Sequence, residues 1–150
     1  MVARTGGRRG ARCLVYLSAS TSREDIALQL TRETAGPNLI RAFEAGRIRV
    51  GDRWIEGHMI VAPDRIITEW SVSAPAVLTL ADLAPAVELD PEIILLGTGA
   101  ALLFPDGDLM GELAERAIGL EIMSTAAACR TFNVLAQERR RVVAALFNEP

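Results

Sequence analysis

Two strand exits in the last third of the chain carry the residues best suited to hold a ligand. The apolar run Ile93–Leu96 ends at Gly97-Thr98-Gly99, and the short strand pattern Leu120–Met123 ends at Ser124-Thr125, where a helical pattern begins. Glycine lets a backbone approach a ligand closely, and the first N–H groups of a helix favour an anion. Because open α/β sheets commonly bind ligands at the exits of neighbouring strands, we expect these two exits to share one rim.

The helix that follows adds polar side chains near this rim. Arg130 and Asn133 are three residues apart and therefore share one helix face. The same spacing also fits an ordinary solvated face, and the glycines also fit a tight structural turn. The candidate ligand-binding residues are Gly97, Thr98, Gly99, Ser124, Thr125, Arg130 and Asn133.

The residue types do not assemble a catalytic set. Cys129 lies near the start of the last helix, but the only histidine of the chain, His58, is distant in sequence. A cysteine nucleophile needs a nearby base, so we interpret Cys129 as a core residue. Cys13, Cys129 and His58 are too scattered for a metal motif, and no lysine is present for a phosphate-cradling loop. We predict no catalytic residue, no metal site and no cofactor.

Composition and charge narrow the class of protein. The 150 residues are 50% hydrophobic and 23% charged, with a net charge of −3. This balance favours a globular domain and argues against a generic nucleic-acid binder. The apolar runs are too short to span a membrane, and two distant cysteines fit a reducing compartment. We therefore expect a cytoplasmic protein.

The first 24 residues form a basic head that precedes the domain. Five arginines come before Glu24, the first acidic residue; they are Arg4, Arg8, Arg9, Arg12 and Arg23. An Arg-rich, acid-poor start fits a transit peptide, which would direct the protein to the mitochondrial matrix. The apolar run Cys13–Leu17 is too short for the usual core of a secretion signal. We favour an unordered terminus and a single domain over residues 25–150.

Periodicity predicts strands in the first half of this domain and alternating strands and helices in the second. The predicted strands are 39–43, 47–50, 53–56, 59–62, 66–68, 93–96, 120–123 and 142–146. Gly51-Asp52 between the second and third of these is a turn pair suited to a hairpin. Residues 25–34 are expected to form a short helix or an irregular lead-in. The predicted helices are 80–87 with Thr79 or Asp82 as cap, 109–118 with Asp106 or Asp108 as cap and Gly119 as terminator, and 125–139 with Thr125 as cap. Trp54 and Trp70 are expected in the core. Together, the predicted strands and helices indicate an α/β fold, a three-layer domain with a mixed central sheet, flanking helices and a small extra β layer.

Several stretches resemble one known family. Gly97-Thr98-Gly99, Phe104-Pro105, the run Ala127–Leu135 and Arg140-Arg141-Val142 are similar to a family of small domains of unknown function. That family includes the mitochondrial complex I assembly factor 3 and bacterial and archaeal relatives, and the similarity covers about residues 38–147. The resemblance implies a three-layer α/β domain with a mixed sheet. It also implies protein binding without recognised enzymatic activity, as in the mitochondrial member.

The chain departs from that family at three positions near the predicted rim and helix end. Relatives usually have an aspartate at the position of Ser124, glycine or proline at Ala126 and glycine at Arg139. The function we expect is a non-catalytic, assembly-factor-like domain that binds a protein partner, with a small anion as a candidate guest of the cleft. The alternative is a small-ligand-binding protein or enzyme that uses the Gly97–Gly99 turn and the start of the helix at Thr125.

Overall fold

The apolar runs predicted as strands are strands in the computed structural model, which describes residues 36–150. The strands are β1 (Ile40–Glu44), β2 (Arg47–Val50), β3 (Arg53–Glu56), β4 (Met59–Ala62), β5 (Arg65–Ile67), β6 (Ile93–Gly97), β7 (Gly119–Met123) and β8 (Val142–Leu146). The described helices are α1 (Ala84–Val87), α2 (Leu109–Ala114) and α3 (Thr125–Gln137), with a 3-10 turn at Pro75–Val77. The basic head, the short helix or lead-in predicted over 25–34 and the domain boundary at residue 25 lie outside the described residues.

The five strands of the central sheet are arranged in the order β5-β4-β8-β6-β7. β6 runs parallel to β7 and β8, while β4 runs antiparallel to β8 and β5. Successive side chains of a strand point to opposite faces, so the continuous apolar run Val142–Leu146 fills a core on each face. This burial explains why the central strands show no apolar–polar alternation.

One face of the sheet is covered by the segment between Trp70 and Ile118, which includes α1 and α2. Trp70 is buried there, its ring centroid is 5.2 Å from that of Phe147, and its indole nitrogen donates a hydrogen bond of 2.9 Å to the carbonyl oxygen of Asp82. A buried indole N–H needs such an acceptor. The prediction that Trp70 belongs to the core is confirmed.

The opposite face is covered by α3 and by a three-stranded antiparallel sheet, β1-β2-β3. Cys129, Phe132 and Ala136 of α3 are buried against strand residues such as Leu95. The interpretation of Cys129 as a core residue is confirmed. The three layers confirm the predicted α/β fold with a mixed central sheet, flanking helices and a small extra β layer.

One tryptophan lies on the outer face of the small three-stranded sheet. β2 and β3 pair around Gly51-Asp52 as predicted, and Ile48 opposite Ile55 faces the core. Trp54 pairs with Arg49 on the outer face, is 40% exposed and lies 4.2 Å below the guanidinium of Arg47. The prediction that Trp54 belongs to the core is wrong, because the strand alternation that buries Ile55 turns its neighbour outward.

Helix α1 is shorter than predicted. Asp82 Oδ2 accepts from the Thr79 amide at 2.9 Å and the Thr79 hydroxyl accepts from the Asp82 amide at 3.3 Å, so the two residues form a capping box at the turn that leads into α1. The chain between them forms a turn, and the helix begins at Ala84 just before Pro85. Proline is well tolerated in the first turn of a helix, which fits this later start.

Helix α2 has the predicted cap but a different end. Asp108 accepts a hydrogen bond of 3.1 Å from the Gly111 amide, while the chain reverses at Ala117 with a φ of 60°. The Ile118 amide then donates to the Leu113 carbonyl at 3.0 Å, the bond that typically closes a helix through a left-handed residue. The prediction that Gly119 terminates the helix is wrong, because Ala117 adopts the left-handed conformation and Gly119 already begins β7.

Helix α3 also differs from prediction at both ends. Ser124, not Thr125, is the cap, since its hydroxyl accepts from the Ala127 amide at 3.3 Å. At the other end Arg139 has a φ of 63°, and the Arg140 amide donates to the Leu135 carbonyl at 3.1 Å. Arg139 therefore holds a conformation that glycine adopts with less strain.

We expect Ala117→Gly to raise the free energy of unfolding by about 0.5–1 kcal/mol, because it relieves the left-handed strain at the end of α2. Ala114→Gly is the matched control: it makes the same chemical change at an exposed helical position and should lower stability by about 1 kcal/mol. Urea denaturation followed by circular dichroism measures both. Equal destabilisation by the two variants would contradict the conformational explanation.

Candidate functional site

The strand exits predicted to adjoin do lie side by side. In the parallel register, Gly97 at the end of β6 pairs with Met123 at the end of β7 and with Leu146 at the end of β8. Three chain segments therefore leave the sheet at one edge, and two of them are the predicted exits. Their polar groups could face a ligand or one another, and the hydrogen bonds decide between these arrangements.

Thr125 joins all three segments. Its side chain is fully buried, and its hydroxyl accepts from the Gly99 amide at 2.8 Å and donates to the Phe147 carbonyl at 2.5 Å. Its own amide donates to the Gly99 carbonyl at 2.9 Å, and the Phe147 amide donates to the Gly97 carbonyl at 2.9 Å. The amide hydrogens of Gly99 and Thr125, which we expected to face an anion, are thus bonded within the protein.

Gly97 is needed for close packing at this edge. A Cβ built on Gly97 would lie 2.9 Å from Thr125 Cα and 3.0 Å from Leu146 Cδ2. Real Cβ atoms essentially never approach backbone this closely. The glycine therefore allows the first residue of α3 to sit directly on β6, and Thr125 takes up the space between the two exits.

Thr98 shapes the loop that leaves β6. It is buried, and its hydroxyl donates to the Ala101 carbonyl at 2.6 Å and accepts from the Leu103 amide at 3.1 Å. Its amide donates to the Met123 carbonyl at 2.9 Å. Gly99 has a φ of 95°, a conformation that favours glycine, and it lets the loop turn at this point.

Asn133 holds the small sheet against α3. Its side-chain oxygen accepts from the Ile40 amide and its side-chain nitrogen donates to the Ile40 carbonyl, both at 2.8 Å. The pairing of β1 with β2 is irregular between Ile40 and Ala42, so the asparagine bonds the backbone where the strand register shifts. Asn133 lies eight residues after Thr125, roughly 12 Å along the helix axis.

Arg130 is exposed on a different side of α3 from Thr125. Five residues along a helix correspond to a rotation of about 140°, so an inward Thr125 directs Arg130 away from the strand exits. The structure thus brings together Gly97, Thr98, Gly99, Ser124 and Thr125, and leaves Arg130 and Asn133 elsewhere on the helix. Ligand binding by this set of residues stays a prediction.

Cys129 lacks the properties of a nucleophile. It is buried, and desolvation raises the pKa of its thiol to about 12 despite the neighbouring Arg130 charge. At neutral pH the sulfur is therefore protonated and unreactive. Across the described residues, 36–150, His, Cys, Asp and Glu side chains form no group of three or more that could hold a metal ion.

One surface feature was missed by our sequence interpretation. Leu102, Leu103 and Phe104 follow Thr98 in the loop after β6, and each is at least 45% exposed. Three consecutive apolar residues between a strand exit and a helix cap are unusual for a loop, unless they serve an interaction. That signal was present in the sequence.

Replacing Thr125 by valine should destabilise the protein by about 2–4 kcal/mol. The isosteric change leaves the Gly99 amide and the Phe147 carbonyl buried without their hydroxyl partner. Thr125→Ser is the control, because it keeps the hydroxyl and loses one buried methyl group, at a cost of about 1 kcal/mol. Chemical denaturation measures both, and equal losses would show that the hydroxyl is not the source of stability.

Cys129 should resist alkylation in the folded protein at pH 8 and react once the protein is unfolded in guanidinium. Mass spectrometry of tryptic peptides after iodoacetamide treatment separates Cys129 from Cys13. Because the folded state raises the pKa from 9.0 to about 12, stability should also fall as pH rises above about 9. Rapid modification of Cys129 at pH 8 without loss of structure would contradict its assignment to the core.

Comparisons with known proteins agree with this architecture. A protein from Danio rerio named NADH dehydrogenase (ubiquinone) 1 alpha subcomplex assembly factor 3 is 28% identical over 123 residues, which are 81% of this chain and 70% of the relative. The Xenopus tropicalis protein of the same name is 32% identical over 121 residues, 79% of this chain and 65% of the relative.

A solved structure is similar as well. The crystal structure of a protein from Bartonella henselae, described as an outer membrane protein, is 38% identical with a TM-score of 0.68, covering 77% of this chain and 98% of that chain. Within residues 36–150 of the present chain, none of the helices is both long enough and apolar enough to cross a bilayer.

The match to a family model is broader than any single motif and includes both strand exits, the hairpin and α3. It extends over residues 40–147, which contain all eight strands of the described structure. This chain therefore belongs to the family described as proteins of unknown function, DUF498/DUF598.

Proposed function

We propose that this protein is a non-catalytic assembly factor that binds a protein partner. The observation that carries the proposal is the similarity, over about four fifths of the chain, to proteins named as assembly factors of an NADH dehydrogenase subcomplex. The strand exits support it, because their amide and hydroxyl groups bond to each other rather than face an open site. A protein of this kind acts through its surface.

The proposed partner is a subunit, or another assembly factor, of a respiratory NADH dehydrogenase or a similar multi-subunit complex. Binding would hold that partner in a state ready for incorporation and would end when the subunit joins the complex. Transient binding of this kind favours an interface of modest size with a polar rim, rather than a large obligate one.

Native co-purification tests this function. A tagged chain expressed at its natural level should recover one or more partners in stoichiometric amounts, identified by mass spectrometry. Deletion of the gene should lower the amount of one multi-subunit complex on native gels and leave its partly assembled forms. If the tagged chain recovers only itself and deletion changes no complex, the proposal is wrong.

A thermal unfolding experiment tests the alternative function, a small-ligand site at the strand exits. Phosphate, nucleotides and small carboxylates are added to the parent chain, to Ser124→Ala at the strand exits and to Arg53→Ala, a control at an exposed arginine of the hairpin. A protein without a ligand site at the strand exits shows no shift, or the same shift in all three proteins only if the ligand binds elsewhere. A shift lost only in Ser124→Ala would favour the alternative.

A further inference from the structure

Acidic and basic residues are unevenly distributed between the layers of the molecule. Residues 66–115 include the end of β5, all of β6 and most of the layer that covers one face of the central sheet. They contain nine acidic residues and no basic residue. The acidic residues are Glu69, Asp82, Glu88, Asp90, Glu92, Asp106, Asp108, Glu112 and Glu115. All ten arginines of residues 36–150 lie outside this stretch. We call residues 66–115 the acidic segment.

The acidic segment also carries most of the large apolar side chains that the described residues expose. Five of eight are there: Val77, Leu102, Leu103, Phe104 and Met110, each 45–59% exposed. The loop with Leu102–Phe104 adjoins the turn with Val77, because the Asp106 amide donates to the Ala76 carbonyl at 2.8 Å. Asp106, Asp108 and Glu112 lie next to these apolar residues in the chain and are exposed.

Hydrogen bonds at both ends of this loop hold it in its exposed conformation. Thr98 is buried at the end of β6, and its hydroxyl bonds to Ala101 and Leu103 fix the backbone on both sides of Leu102. Asp108 fixes the other end of the loop by capping α2. A loop held at both ends by specific hydrogen bonds presents its apolar side chains in a defined arrangement, and this lowers the entropic cost of binding.

We infer that the acidic segment docks a protein partner through an apolar contact centred on Leu102–Phe104, and that the partner surface carries arginine or lysine around its apolar centre. The inference rests on the proposed function and names the chemistry of its partner. Charge complementarity carries it. Glu92 of the acidic segment is paired with Arg140 at 2.8 Å, but Asp106, Asp108, Glu112 and Glu115 follow Phe104 within eleven residues, and Arg116 is the next basic residue in the chain. This local excess of negative charge attracts a basic surface and repels an acidic one.

The negative charge of the acidic segment also disfavours the other kinds of partner that could bind its apolar residues. Two copies related by a two-fold axis would bring acidic segment against acidic segment. An anionic membrane surface and nucleic acid would meet the same repulsion. A basic protein surface combines attraction around the rim with burial of Leu103 and Phe104 at the centre.

Site-specific photo-crosslinking in cells tests this docking surface. The photoreactive residue p-benzoylphenylalanine replaces Met110 in one protein and Val134, an equally exposed residue of α3, in the control. The Met110 position should yield a crosslinked protein whose attached peptide contains apolar residues together with arginine or lysine. A lipid adduct, a peptide of this same chain, an acidic peptide, or no yield above the Val134 control would each overturn the inference.

Charge reversal in the crosslinking protein tests the electrostatic part. Asp106→Arg, Glu112→Arg and Glu115→Arg together should lower the crosslink yield at least fivefold. The control variant carries Glu56→Arg, Glu121→Arg and Glu138→Arg, which change the net charge equally outside the acidic segment, and it should keep its yield. Equal yields from the two variants would overturn the role of charge complementarity.

A single apolar substitution tests the centre of the contact. Phe104→Ser should lower the yield at least fivefold, whereas Val134→Ser, at a residue of similar exposure, should not. Circular dichroism and urea unfolding of each purified variant confirm that it is folded. A partner that co-purifies equally with all variants would keep the assembly function and overturn this docking surface, whereas the absence of any partner would overturn both.

Discussion

The buried hydroxyl of Thr125 is the interaction on which the C-terminal edge of the sheet depends. It accepts from the segment after β6 and donates to the segment after β8, while its own residue begins the segment after β7. Gly97 makes this arrangement sterically possible, since any side chain there would meet Thr125. One side chain thus fixes the relative positions of three parallel strands and of the helix that packs on them. A hydroxyl buried in this way is stabilising only when both of its bonds are made, as they are here.

This junction lies at the usual binding location of an open α/β sheet, the edge at which its parallel strands end. The ends of parallel strands and the loops that follow them lie at one edge of the sheet. A ligand normally binds in the crevice between diverging loops at that edge. Here the loops after β6 and β7 are bonded to each other through Gly99 and Thr125. The Gly99 and Thr125 amides and the Thr125 hydroxyl are therefore used within the protein, and the loop after β6 exposes Leu102, Leu103 and Phe104. These bonds support the proposed function, which acts through a surface.

Much of the architecture follows from local patterns, and the errors have identifiable causes. Continuous apolar runs predicted the central strands because both faces of the sheet are covered, and the Gly51-Asp52 pair predicted the hairpin. The end of α2 was misjudged because Ala117, and not Gly119, adopts the left-handed conformation. Helix α3 ends two residues before the predicted end, and left-handed Arg139 follows it at a position where relatives usually have glycine. The exits of β6 and β7 were correctly predicted to adjoin, whereas their bonding to each other depends on the Phe147 carbonyl, which only the paired strands bring to Thr125. No pattern along the chain contains that contact.

The distribution of charge is a functional signal that is visible in the sequence. It can be interpreted only when the fold shows where the charged residues lie. Fifty consecutive residues without a basic side chain would mean little if they were spread around the molecule. Apart from the end of β5 and from β6, which carry no charge, these residues instead cover one side of the central sheet. The arginines of the hairpin and of α3 belong to the layer on the opposite side. Because the two covering layers differ in sign of charge, and the acidic one also exposes apolar side chains, the molecule has two chemically distinct faces. A partner can therefore select one face over the other by electrostatics before any apolar contact forms.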